Sequence, residues 1–150
     1  MKEKVLETLA YLGFKVEAVE GLGHVFEYEG MTLVYFSNED DENFLEICAP
    51  NVYKCDGGRW DTYYALIEKI NSKMKYVKAY TLAESMCVAY ERELIGDEDL
   101  KTILSRMIVC LETNVGYVRQ IIGEIEGAQS HGDDDTDINV DNDDDATDNN

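Results

Sequence analysis

The apolar residues of this chain change their spacing in a set order, and that order limits the fold more than any single motif does. Val5, Leu6, Leu9 and Leu12 recur at helical spacing, the signature of one apolar stripe on a 3.6-residue turn. Gly13 follows, where a left-handed residue can end a helix. From Phe14 the period becomes two: Phe14, Val16 and Ala18 alternate with Lys15, Glu17 and Val19 until Gly21 and Gly23 break the run. Residues 24–28 and 31–36 read as two further strands, separated by Glu29 and Gly30 at the spacing of a tight hairpin. Residues 37–42 are polar or charged and read as an exposed loop. A fourth strand covers residues 44–49 and is closed by Pro50, the single proline.

The helical period then returns. Trp60, Tyr63, Tyr64, Ile67, Ile70 and Met74 follow the i, i+3, i+4, i+7 rule, which predicts a helix covering one face of the sheet. Residues 76–82 and 86–93 are strand-like again, and Ala83, Glu84 and Ser85 form the turn between them. Gly96 and Asp97 announce a last helix, with Asp97 as N-cap and Glu98 and Asp99 at the positive end of its dipole. A helix over residues 97–126 is roughly 45 Å long at 1.5 Å per residue. The expected class is α+β, an antiparallel sheet in the order α-β-β-β-β-α-β-β-α.

That last helix carries two apolar stripes. Leu104, Ile108, Leu111, Val115, Val118, Ile122 and Ile125 alternate steps of four and three, a heptad seam. Beside it run Ile103, Met107, Cys110, Tyr117 and Ile121. One stripe packs on the sheet; the second is expected to meet a partner or a second copy, because a wet apolar stripe of this extent is unusual on a monomer. Gly116 and Gly123 permit close approach or a kink, each at about 1 kcal/mol of helix propensity relative to Ala.

Charge excludes several partners. The formal net charge is -19. Residues 1–127 hold 13 basic and 23 acidic side chains, whereas residues 128–150 hold nine Asp and no Lys or Arg. This divides the chain into one α+β domain over 1–127 and an acidic tail over 128–150, too polar to bury a core and expected to be disordered. Nucleic-acid binding begins with Lys and Arg displacing counterions from phosphate, so an acidic body and an acidic tail both argue against it. Anionic membrane surfaces are disfavoured likewise. No apolar run of about 18 residues spans a bilayer. Residues 1–11 mix Lys2, Glu3, Lys4 and Glu7 with apolar positions, unlike a secretory signal, so a cytoplasmic location is expected. Cys48, Cys55, Cys87 and Cys110 form no Cys-x-x-Cys pair, and reduced core thiols are expected.

The hairpin over residues 24–36 turning at Glu29 and Gly30, the strand over 44–50, and the segment over 67–78 with Ile70, Asn71 and Lys78 together resemble the type III secretion chaperone fold and the related YbjN-like family. The resemblance covers residues 1 to about 125. It implies a dimeric, non-catalytic, acidic protein that holds a partner polypeptide or serves regulation. The acidic tail departs from the family pattern.

Candidate sites are few. Counted from Asp135, a calcium loop fails at its sixth position, Val140 in place of Gly, and at its twelfth, Ala146 in place of Glu. Asp56, Gly57, Gly58 and Arg59 lack the lysine and further glycines of a phosphate loop and read as an ordinary connection. His24 and His131 are the only histidines, and no spacing joins either to the cysteines as zinc ligands. The expectation is a non-catalytic, homodimeric, polypeptide-binding protein without cofactor or metal, the interface drawn from Ile103, Met107, Cys110, Tyr117 and Ile121. One alternative is a small enzyme or ligand-binding protein with a cleft near Cys55, Asp56, Arg59 and Glu91. Another is a polyanionic tail that binds a basic partner.

Overall fold

The computed structural model describes residues 1–132, with side chains through residue 128. Its elements are α1 (Lys2–Tyr11), β1 (Glu17–Val19), β2 (Gly23–Tyr28), β3 (Met31–Ser37), β4 (Phe44–Lys54), α2 (Trp60–Lys73), β5 (Val77–Leu82), β6 (Ser85–Glu93) and α3 (Leu100–Gly132). The class and the element order are those the hydrophobic rhythm predicts. The six strands form one antiparallel sheet in the order β1-β2-β3-β4-β6-β5.

The β2–β3 hairpin follows from its turn residues. Glu29 and Gly30 both take positive φ, 48° and 72°, which is what a two-residue turn matched to strand twist demands. The β5–β6 hairpin uses the same geometry without a glycine, at Ala83 (φ 48°) and Glu84 (φ 66°). Two boundaries differ from the sequence expectation. β4 does not stop at Pro50 but runs on to Lys54, because Pro50 sits where the register with β6 shifts between Ala49 and Tyr53; a bulge leaves a residue without a ladder donor, which proline lacks anyway. The first strand shrinks to Glu17–Val19, while Phe14 and Val16 pack on the core without strand pairing.

Asp97 is not the cap of α3. Asp99 takes that place: its carboxylate accepts the Lys101 N–H (3.1 Å) and the Thr102 hydroxyl (2.6 Å), and its carbonyl accepts the Ile103 N–H. Glu98 turns back instead to accept the N–H groups of Ile95 and Gly96. Both carboxyls are held below their usual range, Glu98 first by the Ile95 N–H and Asp99 first by the Thr102 hydroxyl. At its far end α3 continues past Gly127 to Gly132, so the compositional break is not a helix end; the remainder of the acidic segment, including the failed calcium loop, lies outside the described residues.

Pairing register decides which residues share a face, since partners directly opposite point the same way. Phe26, Leu33, Ile47, Val88, Ala79 and Tyr35 fall on one face and join the main core. All three helices lie there: α1 through Val5 and Leu9, α2 through Tyr63, Leu66 and Ile70, and α3 through its long apolar side. The Tyr63 hydroxyl is 3.0 Å from that of Thr81, which ties α2 to β5. No helix among the described residues covers the other face.

The α2 stripe was expected to include Trp60 and Tyr64, but both are largely at the surface, and Leu66 takes the buried position. The two α3 stripes merge. Leu104, Ile108, Leu111, Val115, Val118 and Ile122 are buried, and so are Ile103, Met107 and Ile121 from the second stripe. A helix lying along a wide sheet buries an arc of more than 100°, broader than a coiled-coil seam.

Candidate functional site

Three of the five residues expected at an interface, Ile103, Met107 and Ile121, are therefore covered by their own sheet. That part of the expectation is corrected: in this fold they contribute to the core and present no free stripe. Cys110 is half-buried and Tyr117 is 53% exposed, and Val109, at 49%, joins them on the outer side of α3.

Ile103 and Met107 nonetheless reach the floor of a groove. It lies between the first turns of α3 and the paired ends of β5 and β6, has a volume of about 280 Å³, and is lined by Tyr76, Tyr90, Arg92, Thr102, Ile103, Arg106, Met107 and Cys110. Tyr76 and Tyr90 stack nearly parallel, with ring centres 6.1 Å apart and planes at 5°. Tyr76 takes φ 69°, holding its ring out at the mouth of β5, where it is 72% exposed. Arg92 is committed to Glu98 at 2.9 Å. Arg106, one turn into α3 and exposed, has no ion-pair partner among the described residues. The groove thus combines an apolar floor, two aromatic rings and a cation in a strongly acidic chain.

The uncovered sheet face is the second arrangement. Val34, Cys48, Cys87 and Ala89 form its floor, fully buried beneath Leu22, Val25, Phe36 and Tyr80. Small side chains in the middle of a sheet are shielded by longer neighbours, so the floor is dry without a helix above it. Glu46 and Glu91 stand directly opposite each other on β4 and β6, and like charges so placed repel. Lys78 answers Glu91 at 2.6 Å, while the Tyr80 hydroxyl donates to Glu46 at 2.8 Å. Burial, and then the charge of Glu91, raise the Glu46 carboxyl against the opposing effect of Tyr80. Beneath them contact with the Cys87 thiol, followed by burial, pushes the Cys48 thiol far up, so it stays protonated and unreactive.

This network escaped the sequence reading, which considered Glu91 as part of an alternative cleft with Cys55, Asp56 and Arg59. The signal was present in the period: Glu46 and Cys48, like Cys87, Ala89 and Glu91, alternate with the core residues Leu45, Ile47, Met86 and Val88. Only cross-strand register brings the two sets together.

The cleft expected near Cys55, Asp56, Arg59 and Glu91 does not assemble. Lys54 is opposite Ser85, six residues along β6 from Glu91, which is roughly 20 Å at 3.3 Å per residue. Cys55 and Arg59 lie at one end of the sheet and Glu91 toward the other. Next to that first end Trp60, Tyr63 and Tyr64 form a ring cluster, Trp60 stacking on Tyr64 at 5.9 Å. All four cysteines are free, Cys48 and Cys87 buried and Cys55 and Cys110 half-buried. His24 packs beside Tyr35, and no group of three His, Cys, Asp or Glu among the described residues is placed to hold a metal ion. Among the described residues no helix is long and apolar enough to cross a membrane.

No family model matches the chain, and no curated protein does. Among solved structures its fold is similar to that of YbjN from E. coli, described as a candidate transcription regulator: the TM-score is 0.63 over 83% of this chain and 93% of that one, with 10% sequence identity. The chain therefore has a YbjN-like fold.

Proposed function

We propose that this chain is a non-catalytic module that binds another polypeptide and works as a homodimer in the cytoplasm. The observation that carries this reading is the one-sided placement of α1, α2 and α3, which leaves a six-stranded sheet with an apolar floor open on its other face. Such a face offers a partner desolvation over Val25, Phe36 and Tyr80 and orientation through Glu46 and Glu91. Strand addition at the sheet edges is a weaker route: β1 is three residues long, and the middle of β5 is occupied by Asn71. Self-association would use what remains outside on α3, chiefly Val109, Cys110 and Tyr117. The kinship to type III secretion chaperones is part of this proposal, since holding a partner chain on a preformed surface is the role it implies.

Affinity capture from the source cells, comparing the wild type with Phe36→Glu, tests the binding role. A polypeptide retained by the wild type and lost with the variant is expected. A captured set that does not change would sink the sheet-face assignment, and sedimentation showing a monomer at high micromolar concentration would sink the homodimer.

A further inference from the structure

The open face of the sheet specifies the chemistry of what can cover it. What a partner meets there is not the buried floor but the side chains standing above it: half-buried Val25, Phe36 and Tyr80 and, two positions beyond Tyr80, Leu82 at 37% exposure. Strand register adds Glu17, Glu27, Glu46, Glu91 and Glu93 to the same face. Three lysines share it. Lys15 is engaged by Glu17 at 2.7 Å and Lys78 by Glu91 at 2.6 Å, while Lys54 stands at the far end, opposite Ser85. Glu46 is left with no ion-pair partner among the described residues. It is half-buried, stands opposite the like-charged Glu91 and accepts the Tyr80 hydroxyl at 2.8 Å. Lys78 reaches Glu91 from the β5 side, so the open side of Glu46 is toward β3, where Phe36 is its direct register partner.

A carboxylate beside an aromatic ring in apolar surroundings is complementary to a guanidinium, which stacks on the ring and donates in a planar fork to the carboxylate. We infer that the partner is a basic amphipathic helix whose apolar stripe lies over Val25, Phe36 and Tyr80 and whose arginine lies between Phe36 and Glu46. This deepens the polypeptide-binding reading and rests on it. The helical form follows from hydrogen bonding. β3, β4 and β6 are each paired on both sides, so a segment laid across them finds no free backbone groups and must satisfy its own. A helix does so internally, and it completes the layering that α1, α2 and α3 give the opposite face. A second copy of the chain is a poor occupant. Residues 1–127 hold 23 acidic and 13 basic side chains, and a two-fold contact would press the same carboxylate-rich face against itself.

The probe is a synthetic helical peptide with leucines at i, i+3, i+4 and i+7 and one arginine within that stripe. It is titrated into the full-length protein and followed by fluorescence anisotropy, beside the same peptide carrying citrulline, which keeps the shape and lacks the charge. The wild type is expected to bind the arginine peptide about tenfold more tightly, the size of one charge-assisted contact. Glu46→Gln, which keeps an acceptor for Tyr80, should bring the two peptides within about twofold of each other. Glu68→Gln, on the exposed side of α2, removes the same charge elsewhere and should leave the preference intact. Equal binding of both peptides by the wild type, a preference that survives Glu46→Gln, or no binding at all overturns the inference; the second outcome would mark a general attraction to an acidic chain. Phe36→Glu separates this failure from that of the parent reading. If capture from the source cells depends on Phe36 while the two peptides bind alike, the sheet face stands as a polypeptide site and the basic helix falls. If capture ignores Phe36→Glu, the face itself falls.

Discussion

The side chain of Asn71 pairs with both backbone groups of Ala79: its amide Nδ2 donates to the Ala79 carbonyl at 3.0 Å, and its Oδ1 accepts the Ala79 N–H at 2.7 Å. A carboxamide presents one donor and one acceptor in a plane, as a neighbouring strand would. Asn71 therefore stands in for a seventh strand at the outer edge of β5 and blocks edge-to-edge pairing there. Replacing it by Leu leaves both Ala79 groups to water or to another chain. Asn71→Leu is expected to cost about 1–2 kcal/mol in urea unfolding and to raise static light scattering with concentration. Unchanged stability and scattering would show that the pair is incidental.

The β5–β6 turn holds strain that a substitution can release. Ala83 and Glu84 both adopt left-handed φ, at a cost for ordinary L-residues of roughly 1–2 kcal/mol each. Asn and Gly take these angles with little penalty. The double change Ala83→Asn, Glu84→Gly should stabilise the protein by about 1 kcal/mol and raise Tm by several degrees in differential scanning calorimetry. A lower Tm would mean that the two side chains contribute contacts worth more than the strain.

The element order and the β2–β3 turn were legible because they rest on local rules, the apolar period and the φ preference of Gly30. What the sequence hid depends on distance across the fold. Pro50 reads as a terminator until the β4–β6 register shows a bulge at that point. The second α3 stripe reads as free until the breadth of the sheet under Ile103, Met107 and Ile121 is known. Asp97 reads as the cap in sequence, with Glu98 and Asp99 merely favourable to the dipole, and only the direction of each side chain singles out Asp99. Glu46 and Glu91 are 45 residues apart, and nothing local to either records the other. Asn71 was noticed only through a resemblance, and its role at the β5 edge supplies a physical reason for an asparagine there.

Glu46 should leave a signature in the pH dependence of stability. Its folded pKa is raised above the ordinary carboxylate range by burial and then by Glu91, so the folded state binds that proton more tightly than the unfolded chain. Its contribution is favourable at low pH and is lost as pH rises through the raised value. Glu46→Gln keeps an acceptor for the Tyr80 hydroxyl and removes the charge. The variant is expected to be more stable than the wild type at pH 7 by roughly 0.5–1 kcal/mol, the size of a like-charge cross-strand pair. The difference should shrink as pH falls toward 4.5 and below. Glu98 and Asp99 act in the opposite sense, because their lowered values make their stabilisation present at neutral pH and lost on acidification. A Glu46→Gln advantage that grows on acidification would contradict the assigned sign.

The inner and outer sides of α3 should separate cleanly under mutation. Leu104 and Met107 are at most 1% exposed and face the sheet, so Leu104→Ala and Met107→Ala each remove packed methylenes and leave a cavity. Each is expected to cost about 2–5 kcal/mol, read as a fall in the urea midpoint. Val109 and Tyr117 point outward, and Val109→Ser or Tyr117→Ser should change monomer stability by no more than about 0.5 kcal/mol. Their effect belongs to association: on the proposed homodimer, the wild type is expected to sediment as a dimer and the serine variants at the same concentration to shift toward the monomer. The sheet-facing variants provide the contrast, since they unfold more readily without a specific loss of self-contact while the fold persists. If Tyr117→Ser proves as destabilising as Met107→Ala, the helix is rotated relative to the sheet and the division into core and outer residues fails; if it alters neither stability nor sedimentation, the second copy does not use this side of α3.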